Sequence, residues 1–154
     1  METVLFVCTH NSARSQMAEG LLRARYGDRY RSLSAGTEPG GVNPFAVEAM
    51  RELGIDISSH RSEHVDAYIN QPLDYVVTVC DSAKEACPYI PATRQNIHMN
   101  FPDPSAAVGS DEEKLNAFRT VRDAIAVWID ATFGPGEQAQ QNPAYPLRRS
   151  KSSC

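Results

Sequence analysis

The sequence predicts an α/β domain built on a four-stranded parallel sheet, order 2-1-3-4, with helices on both faces. Three observations predict it. Short runs of β-formers alternate with segments of helical apolar periodicity, the pattern of right-handed βαβ units. The first run, Val4-Leu5-Phe6-Val7, ends at Cys8 and a loop of small and polar residues. The last periodic segment, Glu112 to Phe133, is long and carries Leu115, Phe118, Val121, Ile125, Trp128 and Ile129 on one stripe.

Between these ends the elements follow in order. Residues 3–7 read as a buried strand. Ser12 to about Arg25 reads as a helix, with Met17, Leu21 and Leu22 inward and Glu19, Arg23 and Arg25 on the wet side; Gly27 stops it. Residues 31–35 form a second strand closed by Gly36. Asn43 caps a helix with Pro44 in its first turn, running through Leu53 to Gly54. A short helix is expected within 62–69, a third strand at 73–79 and a brief helix at 81–87, ended by Pro88. Gln95 to Met99 is the fourth strand. One catalytic domain is expected over 1–133. Residues 134–154 lack apolar periodicity and read as a flexible tail ending in Cys154.

A chain of 154 residues suits one domain with a real core. With 42% hydrophobic residues, 22% charged residues and a net charge of −4, nothing advertises nucleic acid or an anionic membrane. A small anion remains open, because one loop can bind it on an acidic protein. No apolar stretch approaches the ~18 residues of a membrane span. A cytoplasmic monomer without cofactor is expected. Its four cysteines then sit in a reducing compartment, where structural disulfides are rare and transient catalytic ones are the commoner exception.

In open parallel sheets ligands sit beyond the C-terminal strand edges, at the topological switch point. Cys8 stands there. The loop Thr9, His10, Asn11, Ser12, Ala13, Arg14, Ser15 follows it into the first helix, so inward amides and the helix dipole make an anion cradle. Arg14 adds a cationic fork suited to tetrahedral oxyanions. A free thiol ionises at roughly pH 8.5. Lowering that by ~2 units takes about 2.7 kcal/mol of differential stabilisation, within reach of a helix N-terminus, a guanidinium and the Ser15 hydroxyl. Cys8 is thus a candidate nucleophile rather than a core filler, and His10 a solvent-facing loop residue. Asp103-Pro104 reads either as a general acid or as a simple turn. Cys80 ends the third strand next to the first, with Cys87 seven residues on. The spacing does not suit zinc. His60, His64 and His98 read as surface or packing residues.

These residues carry a resemblance. VLFVCTHNSARSQMAEG resembles the low-molecular-weight protein tyrosine phosphatases, most closely their arsenate reductase branch. SAGTEPGGVNPFAVEAM, GIDISSHRS, DYVVTVCDSAKEACP and FPDP extend the similarity from Thr3 to about Phe133. The resemblance implies a relay. Cys8 forms a thiol-arsenate adduct, Cys80 attacks the Cys8 sulfur, arsenite leaves, and Cys87 passes the disulfide outward to thioredoxin or a related thiol reductant. Asp103 would protonate a leaving group, and phosphate or sulfate would compete with arsenate. A helix of seven residues spans about 10 Å, more than the roughly 7 Å a disulfide tolerates between Cα atoms. Residues 81–87 are therefore expected to unwind on oxidation. The chain departs from the branch at Ala13, where a Cys is common, and at His10, where Gly is common. A potassium site of some relatives maps to Asn11, Glu19, Ser34 and Glu63, with Glu63 in place of an Asp. Two other readings stay open: a phosphatase using Cys8, Arg14 and Asp103, and a non-enzymatic oxyanion or redox sensor.

Overall fold

A computed structural model of the chain describes residues 1–80 and 89–135. The expected brief helix over 81–87, Cys87 and the tail from 136, including Cys154, lie outside the described residues. Strands β1 (Glu2–Cys8), β2 (Tyr30–Gly36), β3 (Tyr75–Thr78) and β4 (Gln95–His98) form one sheet in the order β2-β1-β3-β4. All pairings are parallel, with Cys8 opposite Gly36 and Val7 opposite Thr78. The helices are α1 (Arg14–Tyr26), α2 (Pro44–Arg51) and α3 (Asp111–Phe133).

Strand alternation divides the core. Val4, Phe6 and Cys8 point to one face and pack with Met17 and Leu21 of α1, Ala46 and Met50 of α2, and Phe118, Ile125 and Ile129 of α3. Leu5 and Val7 point to the other face, against Val65, Leu73, Val76 and Ile90. Burying each large apolar side chain contributes about 1.5–3 kcal/mol. At the N-terminal end of the sheet, Phe133 meets Phe6, Tyr30, Tyr75 and Trp128 edge-on, closing the larger core.

The helix ends follow local chemistry. Ser110 and Glu113 form a reciprocal capping box at the start of α3. Asn43 Oδ1 accepts from Phe45 N (2.8 Å) at the start of α2. That helix ends at Arg51 rather than at Leu53, because its last turn tightens: Leu53 N bonds Met50 O and Gly54 N bonds Arg51 O. Gly54 then turns the chain at φ +77°. Glu52 fastens this end to α3. Hydrogen bonds from Arg119 and Arg122 hold its carboxyl down to about 2, and Arg122 Nη1 also reaches Ala49 O (2.8 Å).

Three further boundaries depart from expectation. α1 begins at Arg14 and not Ser12, because residues 9–13 are held out as a loop. β3 is shorter than 73–79: Leu73 O accepts from Thr93 N, and the Asp74 carboxylate accepts from Thr3 N (2.8 Å), so both sit outside the ladder. Within 62–69 only a 3₁₀ turn forms, Val65–Ala67, capped by His64 Nδ1 accepting from Asp66 N. Among the described residues, no helix is long and apolar enough to cross a membrane.

Candidate active site

The loop after β1 is held open from behind. Glu38 N donates to Thr9 O (2.8 Å), Gly40 N to His10 O (3.0 Å) and Asn43 N to Ser12 O (2.8 Å). Asn11 O accepts from Ser62 Oγ (2.7 Å) and Gln16 Nε2 (3.2 Å). With these carbonyls turned outward, the planar peptide units turn N–H groups to the concave side, the form of an anion cradle. Asn11 sits at φ +50°, a left-handed conformation that Asn tolerates. The N-cap of α1 is Ala13, which makes no side-chain cap, so the helix's N-terminal donors are not spent on a capping residue.

Cys8 Sγ lies 2.8 Å from Ser15 Oγ. Asn11 Nδ2 donates to that same Ser15 oxygen (2.8 Å) and to Ser34 Oγ (2.9 Å). Ser15 Oγ therefore has its own proton to offer a thiolate. Cys8 is only 2% exposed, where the sequence reading requires a sulfur open to an oxyanion. The thiol lies at the floor of the cradle. Arg14, equally buried, donates from Nη1 to Phe101 O (3.1 Å), and its Nη2 stands 3.8 Å from Asp103 Oδ2.

Asp103 makes the turn that one of its two sequence readings expects. Its Oδ1 accepts from Ser105 N (2.9 Å) and Ser105 Oγ (2.7 Å), capping a 3₁₀ turn at Pro104–Ala106. Its Oδ2 faces Arg14. Cys80 is fully buried, with Sγ 4.0 Å from the carbonyl oxygen of Val7, the residue before Cys8. The structure thus brings Cys8, Arg14, Ser15, Asp103 and Cys80 to one sheet edge. His10 is exposed as expected, its Nδ1 donating to Glu38 O (3.1 Å).

The potassium candidates come together only in part. Ser34 Oγ donates to Glu19 Oε1 (2.5 Å) and receives Asn11 Nδ2. Glu63 reaches Asn11 through its backbone N–H (2.8 Å), while its carboxylate lies 4.0 Å from Arg61. Glu19 is not on the wet side. It turns inward and pairs with Arg23, whose guanidinium also donates to Ser32 O (2.7 Å). A fixed cation already neutralises the one acidic group at the centre, and Asn11 offers N–H rather than oxygen there. This set does not fit a hard cation that needs an oxygen cage. Among the described residues, no group of three His, Cys, Asp or Glu could hold a metal.

Gln16, which sequence reasoning passed over, and His60, which it read as a surface or packing residue, complete the brace. Gln16 is fully buried; its Nε2 also donates to Asn11 Oδ1 (3.0 Å) and Arg61 O (3.1 Å). Its signal was a polar residue set among the apolar positions of α1. His60 bridges Gln16 Oε1 (3.0 Å, through Nδ1) and Arg23 Nη1 (3.0 Å, through Nε2). Arg is donor only, so Nε2 accepts, Nδ1 carries the proton and His60 is neutral. Burial first, then Arg23, hold its pKa below the ordinary imidazole value, against the opposing pull of Glu19 and Asp56. A depressed pKa gives stability that is complete above the unfolded value of 6.5 and is lost as pH falls through the folded one. Urea midpoints are expected to drop more between pH 7.5 and 5.5 in the wild type than in His60→Gln; parallel profiles would refute the neutral bridge.

Comparison with known proteins agrees with this geometry. Residues 3–130 match the family model for low molecular weight phosphotyrosine protein phosphatase. An arsenate reductase of Halalkalibacterium halodurans is 48% identical over 124 residues, covering 80% of this chain and 89% of the relative. A solved arsenate reductase in the phosphate binding state superposes with a TM-score of 0.72 at 32% identity, covering 84% of this chain and 95% of that one. A thioredoxin-dependent arsenate reductase of Corynebacterium glutamicum superposes with a TM-score of 0.60 at 26% identity, covering 83% of this chain and 60% of the other.

Proposed function

Because this chain belongs to the low molecular weight phosphotyrosine protein phosphatase family, we propose that it is an arsenate reductase of that fold, working by a thiol relay. The names of its relatives support the substrate. The observation that carries the mechanism is Cys80, a second buried thiol at the carbonyl preceding Cys8.

Arsenate enters the cradle at its mouth, where the long Arg14–Asp103 contact gives way to bonds between the guanidinium and the oxyanion. Cys8 sulfur bonds to arsenic and a water leaves, forming the thiol-arsenate adduct. Ser15 stabilises the attacking thiolate, and Asn11 orients Ser15. Cys80 sulfur then attacks the Cys8 sulfur. The S–As bond breaks with its electron pair going to arsenic, so arsenic is reduced by two electrons while the thiols become a Cys8–Cys80 disulfide. Cys87 attacks Cys80, frees Cys8 and leaves a Cys80–Cys87 disulfide, which an external dithiol reduces by exchange. The thioredoxin-dependent relative supports thioredoxin as that dithiol.

Mass mapping after a single arsenate exposure without reductant tests this: one arsenite per chain with a Cys80–Cys87 disulfide is the expected result. Arsenite release with Cys80 still reduced would sink the relay. A phosphatase reading is favoured by one observation, the Asp103 oxygen turned toward Arg14 at the cradle mouth, where it can protonate an ester leaving group. Phosphate-ester turnover is accordingly expected as a side activity of the same cradle.

A further inference from the structure

The brace behind the cradle is a directed chain of hydrogen bonds, and its direction is fixed from both ends. At the outer end Arg23 can only donate, so its Nη1 donates to His60 Nε2 (3.0 Å). The neutral imidazole then carries its proton on Nδ1 and donates to Gln16 Oε1 (3.0 Å). Gln16 Nε2 donates to Asn11 Oδ1 (3.0 Å), Asn11 Nδ2 donates to Ser15 Oγ (2.8 Å), and Ser15 Oγ stands 2.8 Å from Cys8 Sγ. The two amides cannot be turned round. Gln16 Nε2 also faces the carbonyl oxygens of Asn11 (3.2 Å) and Arg61 (3.1 Å), so a reversed Gln16 amide would set its oxygen against three acceptors. Asn11 Oδ1 also accepts from Glu63 N (2.8 Å), a backbone donor that cannot reverse.

A fully buried amide is costly unless its bonds are made, and those of Gln16 go to Asn11, Arg61 and His60. Successive hydrogen bonds in a low-dielectric interior polarise one another, and a donor aimed at a sulfur favours its ionised form. We propose that Gln16 and His60 are positioning residues for Cys8: they commit the Ser15 proton to the Cys8 sulfur and hold the left-handed Asn11 in place, so that the sulfur is ionised where it must attack. The charged groups around His60 are Glu19 and Arg23 of α1 and Asp56 of the loop after α2. Arg14 and Asp103 stand at the cradle end. The assignment rests on Cys8 as the nucleophile and goes beyond it by naming two residues outside the cradle that set its readiness to react.

Iodoacetamide alkylation of the full chain, read by mass at the Cys8 peptide at pH 6 and at pH 9.5, tests it without arsenate. Gln16→Leu is expected to slow the reaction about fivefold at pH 6, the scale of one hydrogen bond, and to leave it within about twofold at pH 9.5, where the thiol is ionised in every variant. His60→Leu is expected to slow it about threefold at pH 6 alone, being one bond further out. His60→Asn, whose amide N–H takes the place of Nδ1–H, should restore the wild-type rate. The double variant should be no slower than Gln16→Leu, because His60 acts through Gln16. Rates that fall equally at both pH values, wild-type rates at pH 6, or effects that multiply in the double variant would overturn the chain and leave the nucleophile standing. If Gln16→Leu does not fold, the His60 pair decides by the same comparison of the two pH values. A wild-type Cys8 no faster at pH 6 than the thiol of a short peptide would overturn the nucleophile and the chain together.

Discussion

Replacing Cys80 by serine is expected to cut arsenite release by at least ~10³-fold, while alkylation of Cys8 by iodoacetamide stays within about twofold of wild type. The two readouts separate the steps. Formation of the adduct needs Cys8, the cradle and Ser15; Cys80 Sγ stands 4.0 Å from the Val7 carbonyl oxygen and belongs to none of these. Reduction of arsenic needs a second sulfur to accept the bond that arsenic gives up. A hydroxyl cannot take that role, because an S–O bond in place of a disulfide is no stable acceptor. The Cys80 position is fully buried, so a small thiol from solution cannot take the place of its sulfur, and the variant should accumulate arsenic on the protein rather than release arsenite. Undiminished arsenite release from Cys80→Ser would show that the electrons travel by another route.

The fold was legible where a single period dominates. The β1 and β3 runs are continuous apolar segments flanked by loops, and their alternation with α1, α2 and α3 leaves few topologies once crossovers are right-handed. The site was legible as a motif because the Cys8 to Ser15 loop concentrates residues that have no reason to share a core. What the sequence did not disclose is which polar residues face inward. Glu19 and Gln16 lie three residues apart on α1, and apolar periodicity alone marks polar residues as outward. Both turn inward because the left-handed Asn11 and the Ser34 hydroxyl need partners. His60 is distant in sequence and meets Gln16 only after the chain returns beside α1. Asp103 could be read two ways because a carboxylate has two oxygens, and the structure uses one for the turn and the other toward Arg14.

Gly36→Ala is expected to lower arsenate turnover by about 100-fold, the scale on which a misplacement of ~1 Å acts on a preorganised site. Gly36 pairs with Cys8 at the last position of the β1–β2 ladder. A Cβ built on it would stand 2.6 Å from Thr9 O, 2.9 Å from Asn11 N and 2.9 Å from Cys8 O. All three are backbone atoms, so no side chain can rotate away to make room. Gly36 is also pinned from behind, its N–H donating to Glu63 O (2.8 Å), which leaves the cradle as the part that must move. The loop would be pushed off the carbonyl bonds to Glu38 and Gly40, and its amides off the position of the oxyanion. Overpacking of this kind costs about 1–3 kcal/mol of stability, too little to unfold a typical domain. The variant should therefore retain its circular dichroism spectrum while losing phosphate affinity along with turnover. Wild-type phosphate affinity in folded Gly36→Ala would mean that the close approach of this backbone is not what shapes the cradle.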